Sequence, residues 1–182
     1  MLRHSAAALA LLLVVAACGA PAPAAPTREV PPYAGRAAQL FDDSIEPAGV
    51  GLDYDRGYNP KTDPAVRERA QVGDAVLRVK VSTVTSKKDG PDSVFRIGLV
   101  TVEKLAGAHP PPTSFSVEIN KASESLGIMK NFESRLVGYS FIVFVREFAR
   151  VDGEREYHFH LAPDTKDVKL AVSNALLLGE TK

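Results

Sequence analysis

Residues 139–145 read Tyr-Ser-Phe-Ile-Val-Phe-Val, and their apolar side chains occupy both parities, Phe141 and Val143 alternating with Ile142 and Phe144. Successive side chains of a strand point to opposite faces, so this segment predicts a central strand covered on both sides. Such a strand demands a second layer. The end of the chain supplies one: Val168, Ala171, Val172, Ala175, Leu176 and Leu178 form a broad apolar helix face. Asp164 or Thr165 caps that helix, Asp167 sits in its first turn, where the helix dipole favours an acid, and Gly179 ends it.

Four more strands are predicted. Over 72–85, Ala75, Leu77, Val79, Val81 and Thr83 share one face, with Arg78, Lys80 and Ser82 on the other. The turn cluster Lys88-Asp89-Gly90-Pro91 joins this strand to a second over 94–104, making a hairpin. Phe115, Val117 and Ile119 alternate with Ser114, Ser116 and Glu118 in a short third strand, entered through His109-Pro110-Pro111-Pro112. After the central strand, Asp152-Gly153 turns the chain into a fifth, over 155–161, with Tyr157, Phe159 and Leu161 on one side. Its other side, Glu156, His158 and His160, reads as polar and water-facing. Upstream, a short apolar helix is expected at 37–41, then an irregular stretch to Pro64 whose Tyr54 and Tyr58 suggest packing onto the domain. Thr62-Asp63-Pro64 opens a short helix to Ala70, with Asp63 capping and Pro64 at the first helical position.

Five strands, with an irregular or partly helical connection between the third and fourth, resemble the element order of an OB-fold. The expected class is therefore mainly β: a five-stranded, OB-like antiparallel barrel over 71–182, with a short N-terminal helix and a C-terminal amphipathic helix. The stretches Asp74-Ala75-Val76-Leu77-Arg78-Val79, Val102-Glu103-Lys104-Leu105-Ala106-Gly107 and Val137-Gly138-Tyr139-Ser140-Phe141-Ile142-Val143-Phe144 also resemble the netrin-like domains of metalloprotease-inhibitor type. Together they span about residues 70 to 178. Those domains are usually disulfide-bonded, whereas this barrel has no Cys. Their inhibitory mechanism uses an N-terminal Cys on a metal, and it is not carried over.

The N-terminus carries an address. Arg3 and His4 precede an apolar run over 6–17, too short for the ~20 residues of a membrane-spanning helix. It ends in Val15-Ala16-Ala17-Cys18, which resembles the bacterial lipobox: a branched apolar residue, two small ones that let a peptidase reach the backbone, then the acceptor thiol. The resemblance implies a signal peptide over 1–17, cleavage before Cys18, and a diacylglyceryl thioether on Cys18, with further acylation of its amine. Two or more acyl chains give stable anchoring. Gly19, rather than Asp, follows the enterobacterial pattern for the outer membrane. Residues 18–40 then form a tether rich in Pro and Ala, of which 19–32 at about 3.1 Å per residue reach ~40 Å. An irregular lead-in over 41–70 precedes the barrel.

Charge and motifs narrow the function. Lys+Arg and Asp+Glu each number 22, and loss of Arg3 on processing leaves a net charge of about −1, against the basic stripe that nucleic acid requires. The cations Arg78, Lys80, Lys87, Lys88, Arg96 and Lys104 on the first hairpin read as a solvated face. Asp53, Asp55, Asn59 and Asp63 do not make a calcium loop, since Tyr58 and Pro64 stand where Gly and Glu belong. His158 and His160, two apart on a strand, point the same way and are candidate metal ligands, with His109, Glu154 or Glu156 as a third. Hydrolase signatures are missing, and Ser123, Ser125 and Ser134 have no base nearby in sequence. The expectation is an extracytoplasmic, lipid-anchored, non-catalytic binding or structural module without cofactor, its partners the membrane and another envelope protein. Metal binding through His158 and His160 is the alternative, a hydrolase the more distant one. The first hairpin and residues 122–135 are the candidate contact surfaces.

Overall fold

The computed structural model describes residues 28–52, 57–89 and 92–179. The signal peptide, Cys18 and most of the tether lie outside the described residues, as do Asp53, Tyr54, Asp55 and the pair Gly90-Pro91 for which a turn is expected. Four helices and six strands follow in the order α1 (Gly35–Leu40), β1 (Ser44–Ile45), α2 (Pro64–Val72), β2 (Ala75–Asp89), β3 (Asp92–Ala106), β4 (Ser114–Ile119), α3 (Leu126–Phe132), β5 (Ser140–Ala149), β6 (Arg155–Pro163) and α4 (Lys166–Gly179). Short 3-10 turns at Pro47–Val50 and Glu133–Arg135 complete the set.

The strands form one curled, half-barrel sheet in the order β1-β6-β5-β2-β3-β4. All neighbours are antiparallel except β1, which runs parallel to β6. The closed, five-stranded, all-antiparallel barrel expected from the element order is not formed. A sixth strand comes from the lead-in segment, and β1 and β4 remain the two edges. The outer edge of β1 is already satisfied: the Ile45 N–H donates to Ser125 Oγ at 2.7 Å, and the same hydroxyl donates to the Ile45 carbonyl at 3.2 Å. A closing strand would find no free partner there. The concave side is filled instead by the β4–β5 connection, whose Met129 and Leu136 are fully buried in one core with Leu77, Ile97, Phe141 and Phe159.

β5 is central and covered on both sides, as its pattern requires. Phe141, Val143 and Val145 enter the concave core, while Ile142, Phe144 and Phe148 enter a second core beneath α1, α2 and α4. From α4, Val168, Ala171, Val172 and Ala175 cover that second face. Asp63 accepts from the Ala65 N–H at 2.8 Å and caps α2, with Pro64 in the first turn. The lead-in is no loose approach, since Leu40, Phe41 and Ile45 are buried.

The hairpin is longer than expected. β2 and β3 have 15 residues each, but β5 accompanies β2 only over 75–80, and β4 leaves β3 at Phe95. The rest is a two-stranded arm.

Candidate functional site

On β6, Tyr157, Phe159 and Leu161 face the concave core, so Glu156, His158 and His160 face the helix side. The expectation that this side meets water is overturned for both histidines. His160 is 5% exposed, and the His158 side chain 12%. A strap over 28–46 covers them. The Ala149 N–H donates to the Pro31 carbonyl, the Tyr33 hydroxyl donates to the Phe41 carbonyl at 2.8 Å, and Arg28 pairs with Asp74.

His158 is largely enclosed. Tyr33 stacks on its ring at 3.4 Å between centroids and 5° between planes, and Phe148 meets it edge-on. Its Nδ1 lies 2.7 Å from Asp43 Oδ2 and its Nε2 3.0 Å from Glu156 Oε1. Only an imidazolium donates from both nitrogens, so the geometry selects the charged ring. Burial opposes that charge, but the Asp43 and Glu156 carboxylates outweigh it and raise the pKa. For Asp43 burial prevails, and its carboxyl is raised. Burial, with the same acids nearby, pushes the Tyr33 hydroxyl up to about 12. Asp43 adopts a left-handed backbone, φ +53°, uncommon outside glycine and tolerated best by Asn and Asp. His158 and the Phe159 N–H hold it there.

His160 is bonded differently. Its Nδ1 lies 3.0 Å from Ser44 Oγ and 3.1 Å from Asp42 Oδ1, and the Ser44 hydroxyl is 2.7 Å from the same carboxylate oxygen, to which it donates. Asp, His and Ser thus meet, but not as a nucleophile relay. A relay needs Ser and Asp on opposite ring nitrogens, and here both lie at Nδ1. Burial pushes His160 down, Asp42 opposing and Arg69 adding to it, which favours the neutral ring. Burial would raise the Asp42 carboxyl, but its bonds to His160 and Ser44 lower it. Arg69, itself buried, donates Nε to the Leu40 carbonyl at 2.6 Å. A polar cleft of about 330 Å³ opens beside these groups, lined by Asp42, Glu46, Asp63, Arg69, Glu124 and His160.

Among the described residues, no group of three His, Cys, Asp or Glu side chains is arranged to hold a metal ion. Of the suggested third ligands, Glu156 reaches His158 as a hydrogen-bond partner, Glu154 pairs with Arg150 at the β5–β6 turn, and His109 is exposed in the β3–β4 connection. The serines are structural: Ser125 holds Ile45, Ser123 donates to the Asp43 carbonyl, and Ser134 is exposed. On the hairpin, Arg78 pairs with Asp164 and Arg96 with Glu118, while Lys80, Lys87 and Lys104 are exposed. Tyr33, Asp42, Asp43, Ser44 and Arg69 went unremarked in the sequence. The Asp-Asp-Ser run before an apolar residue was the one local signal for them.

No family model matches the chain, and no curated protein matches it.

Proposed function

We propose that the chain is a lipid-anchored, non-catalytic binding module of the bacterial envelope, tethered through acylated Cys18 to the outer membrane and engaging another envelope protein. The observation that carries this reading is the opposition of two ends. The strap that continues the tether docks beside Asp74 and Ala149, at the start of β2 and the end of β5. The free arm is the far end of β2. Fifteen residues of strand at ~3.3 Å per step put at most about 45 Å between the two, so a domain held by its strap presents the arm away from the lipid. Confinement at a surface raises the local concentration of a partner and lets modest affinity suffice. Around β6 the polar side chains are engaged with one another: both nitrogens of His158 meet carboxylates, and Ser44 meets Asp42. Among the described residues no helix is long and apolar enough to cross a membrane. That leaves the Cys18 anchor untouched as a proposal.

The test is direct. Cys18→Ser is expected to leave protein that no longer partitions into detergent, and unchanged partitioning with an unchanged precursor mass would sink the anchor. Elemental analysis decides the alternative. About one metal per chain retained through dialysis, and lost in the His158→Ala, His160→Ala double variant, would replace binding-module by metal-binding protein.

A further inference from the structure

We infer that the free edge of β2 over residues 82–87 is a docking site for an extended, acid-flanked segment of a partner protein, an inference that rests on the binding-module reading and gives its partner a chemistry. The backbone carries the first half. The N–H and C=O of Val81 are met by Tyr139 and Gly138. Beyond Val81, among the described residues, no backbone bond forms on the side of β2 away from β3. The stretch Ser82-Thr83-Val84-Thr85-Ser86 is uncharged and rich in strand-forming types, and all of it but Val84 is exposed. A row of unpaired backbone groups on such a strand is a template for one more strand.

Charge carries the second half. Lys80 and Lys87 bracket the edge, both exposed, and β2 holds no acidic residue before Asp89. Both lie on the face opposite the concave core. Val79 and Val81 flank Lys80 and enter that core, while Lys87 and Thr85 line a cleft of about 490 Å³ with Arg96 and Glu118. Glu118 already neutralises Arg96 at 2.5 Å. Among the described side chains of this edge, the unspent cations are thus Lys80 and Lys87. An incoming strand with a Glu or Asp near each end meets both, and its alternate side chains reach the cleft. A second copy of this chain is the poorer occupant, since antiparallel pairing of its own 82–87 edge sets Lys87 opposite the uncharged Ser82 and offers an acid, Asp89, to Lys80 alone. Lysines on an edge in this way bar self-pairing and leave acidic strands admissible.

The probe is a synthetic heptapeptide, Glu-Thr-Val-Thr-Val-Thr-Glu, whose two acids, six residues apart, share one face as the two lysines do, titrated onto the full-length chain carrying Cys18→Ser, with amide exchange read by mass spectrometry. Saturable binding is expected, with slowed exchange confined to 82–87. It should fall about tenfold or more in the Lys80→Glu, Lys87→Glu variant, which leaves the melt unchanged because both side chains are exposed. Methylating alternate peptide nitrogens, or replacing the terminal Glu by Lys, should abolish it. No binding at millimolar peptide, binding indifferent to methylation or charge reversal, or protection elsewhere overturns the inference. So does edge protection that appears with rising protein concentration and no peptide, which would make the occupant a second copy. Detergent partitioning and metal analysis do not involve the peptide, so its failure alone leaves the binding-module reading standing.

Discussion

At the residue scale, the two histidines pull stability in opposite directions with pH. His158 is raised above its ordinary 6.5 in the folded chain, so its contribution is complete below that value and is lost as pH climbs through the raised one. His160 is lowered. Below 6.5 the unfolded chain takes up a proton that the folded site resists, so stability falls toward acid on its account. Denaturant melts across this range are expected to show a decline above 6.5 that His158→Gln flattens, and an acid-side decline that His160→Gln flattens. A His158→Gln variant that keeps the alkaline slope would refute the imidazolium. Both variants should also be less stable, by about 2–3 kcal/mol for His158, whose loss strands Asp43. A water-facing pair would have been silent. Ser125→Ala is the companion case. It leaves the Ile45 N–H and C=O buried and unmet and should cost about 1–3 kcal/mol. A melt within ~0.5 kcal/mol of the parent would mean that another group takes over.

At the element scale, β5 links the two cores, so damage to it is felt on both sides. Phe141→Ala should cost about 3–5 kcal/mol, since Phe141 is fully buried and Gly49 of the preceding 3-10 turn packs on its ring. A loss below ~1 kcal/mol in urea melts would contradict its central place. The pattern of apolar residues on both parities made β5 legible from sequence, and the apolar stripe did the same for the covered face of α4, except at Leu178, which is exposed. The ends of elements were less legible. β2 and β3 run past the predicted 85 and 104, because neither the polar run Ser86-Lys87-Lys88-Asp89 nor Leu105-Ala106 carries a breaker that marks where pairing stops. β1 left no periodic trace, because its two residues make a single period of alternation and a pattern needs a repeat.

At the scale of the molecule, the sheet is a wall between two cores, and the helix-side core depends on α4. A chain ending before Lys166 would leave Ile142, Phe144 and Ala162 without Val168, Ala171, Val172 and Ala175. It should lose its cooperative thermal transition and bind a hydrophobic dye. A truncated chain that still melts cooperatively would show that α1 and α2 suffice. The strap has the converse role. It adds little periodic sequence, yet it seals both histidines and sets the point at which the tether meets the domain.

Local alternation, the Pro64 start and Asp63 cap of α2, and the apolar stripe of α4 are properties of neighbouring residues, and the sequence by itself determined them. So did the balance of charge and the Val15-Ala16-Ala17-Cys18 pattern on which the anchor proposal rests. Closure was not determined there. Whether five strands shut into a barrel hung on the Ser125 hydroxyl reaching Ile45, 80 positions away, and on Met129 and Leu136 filling the concave side. The state of His158 was likewise a tertiary matter. Its alternation places it correctly on the polar parity of β6, but a polar parity becomes an interior one when a strap 115 residues upstream lays Asp43 across it. Periodicity reports which way a side chain points, and only the folded chain decides what it meets there.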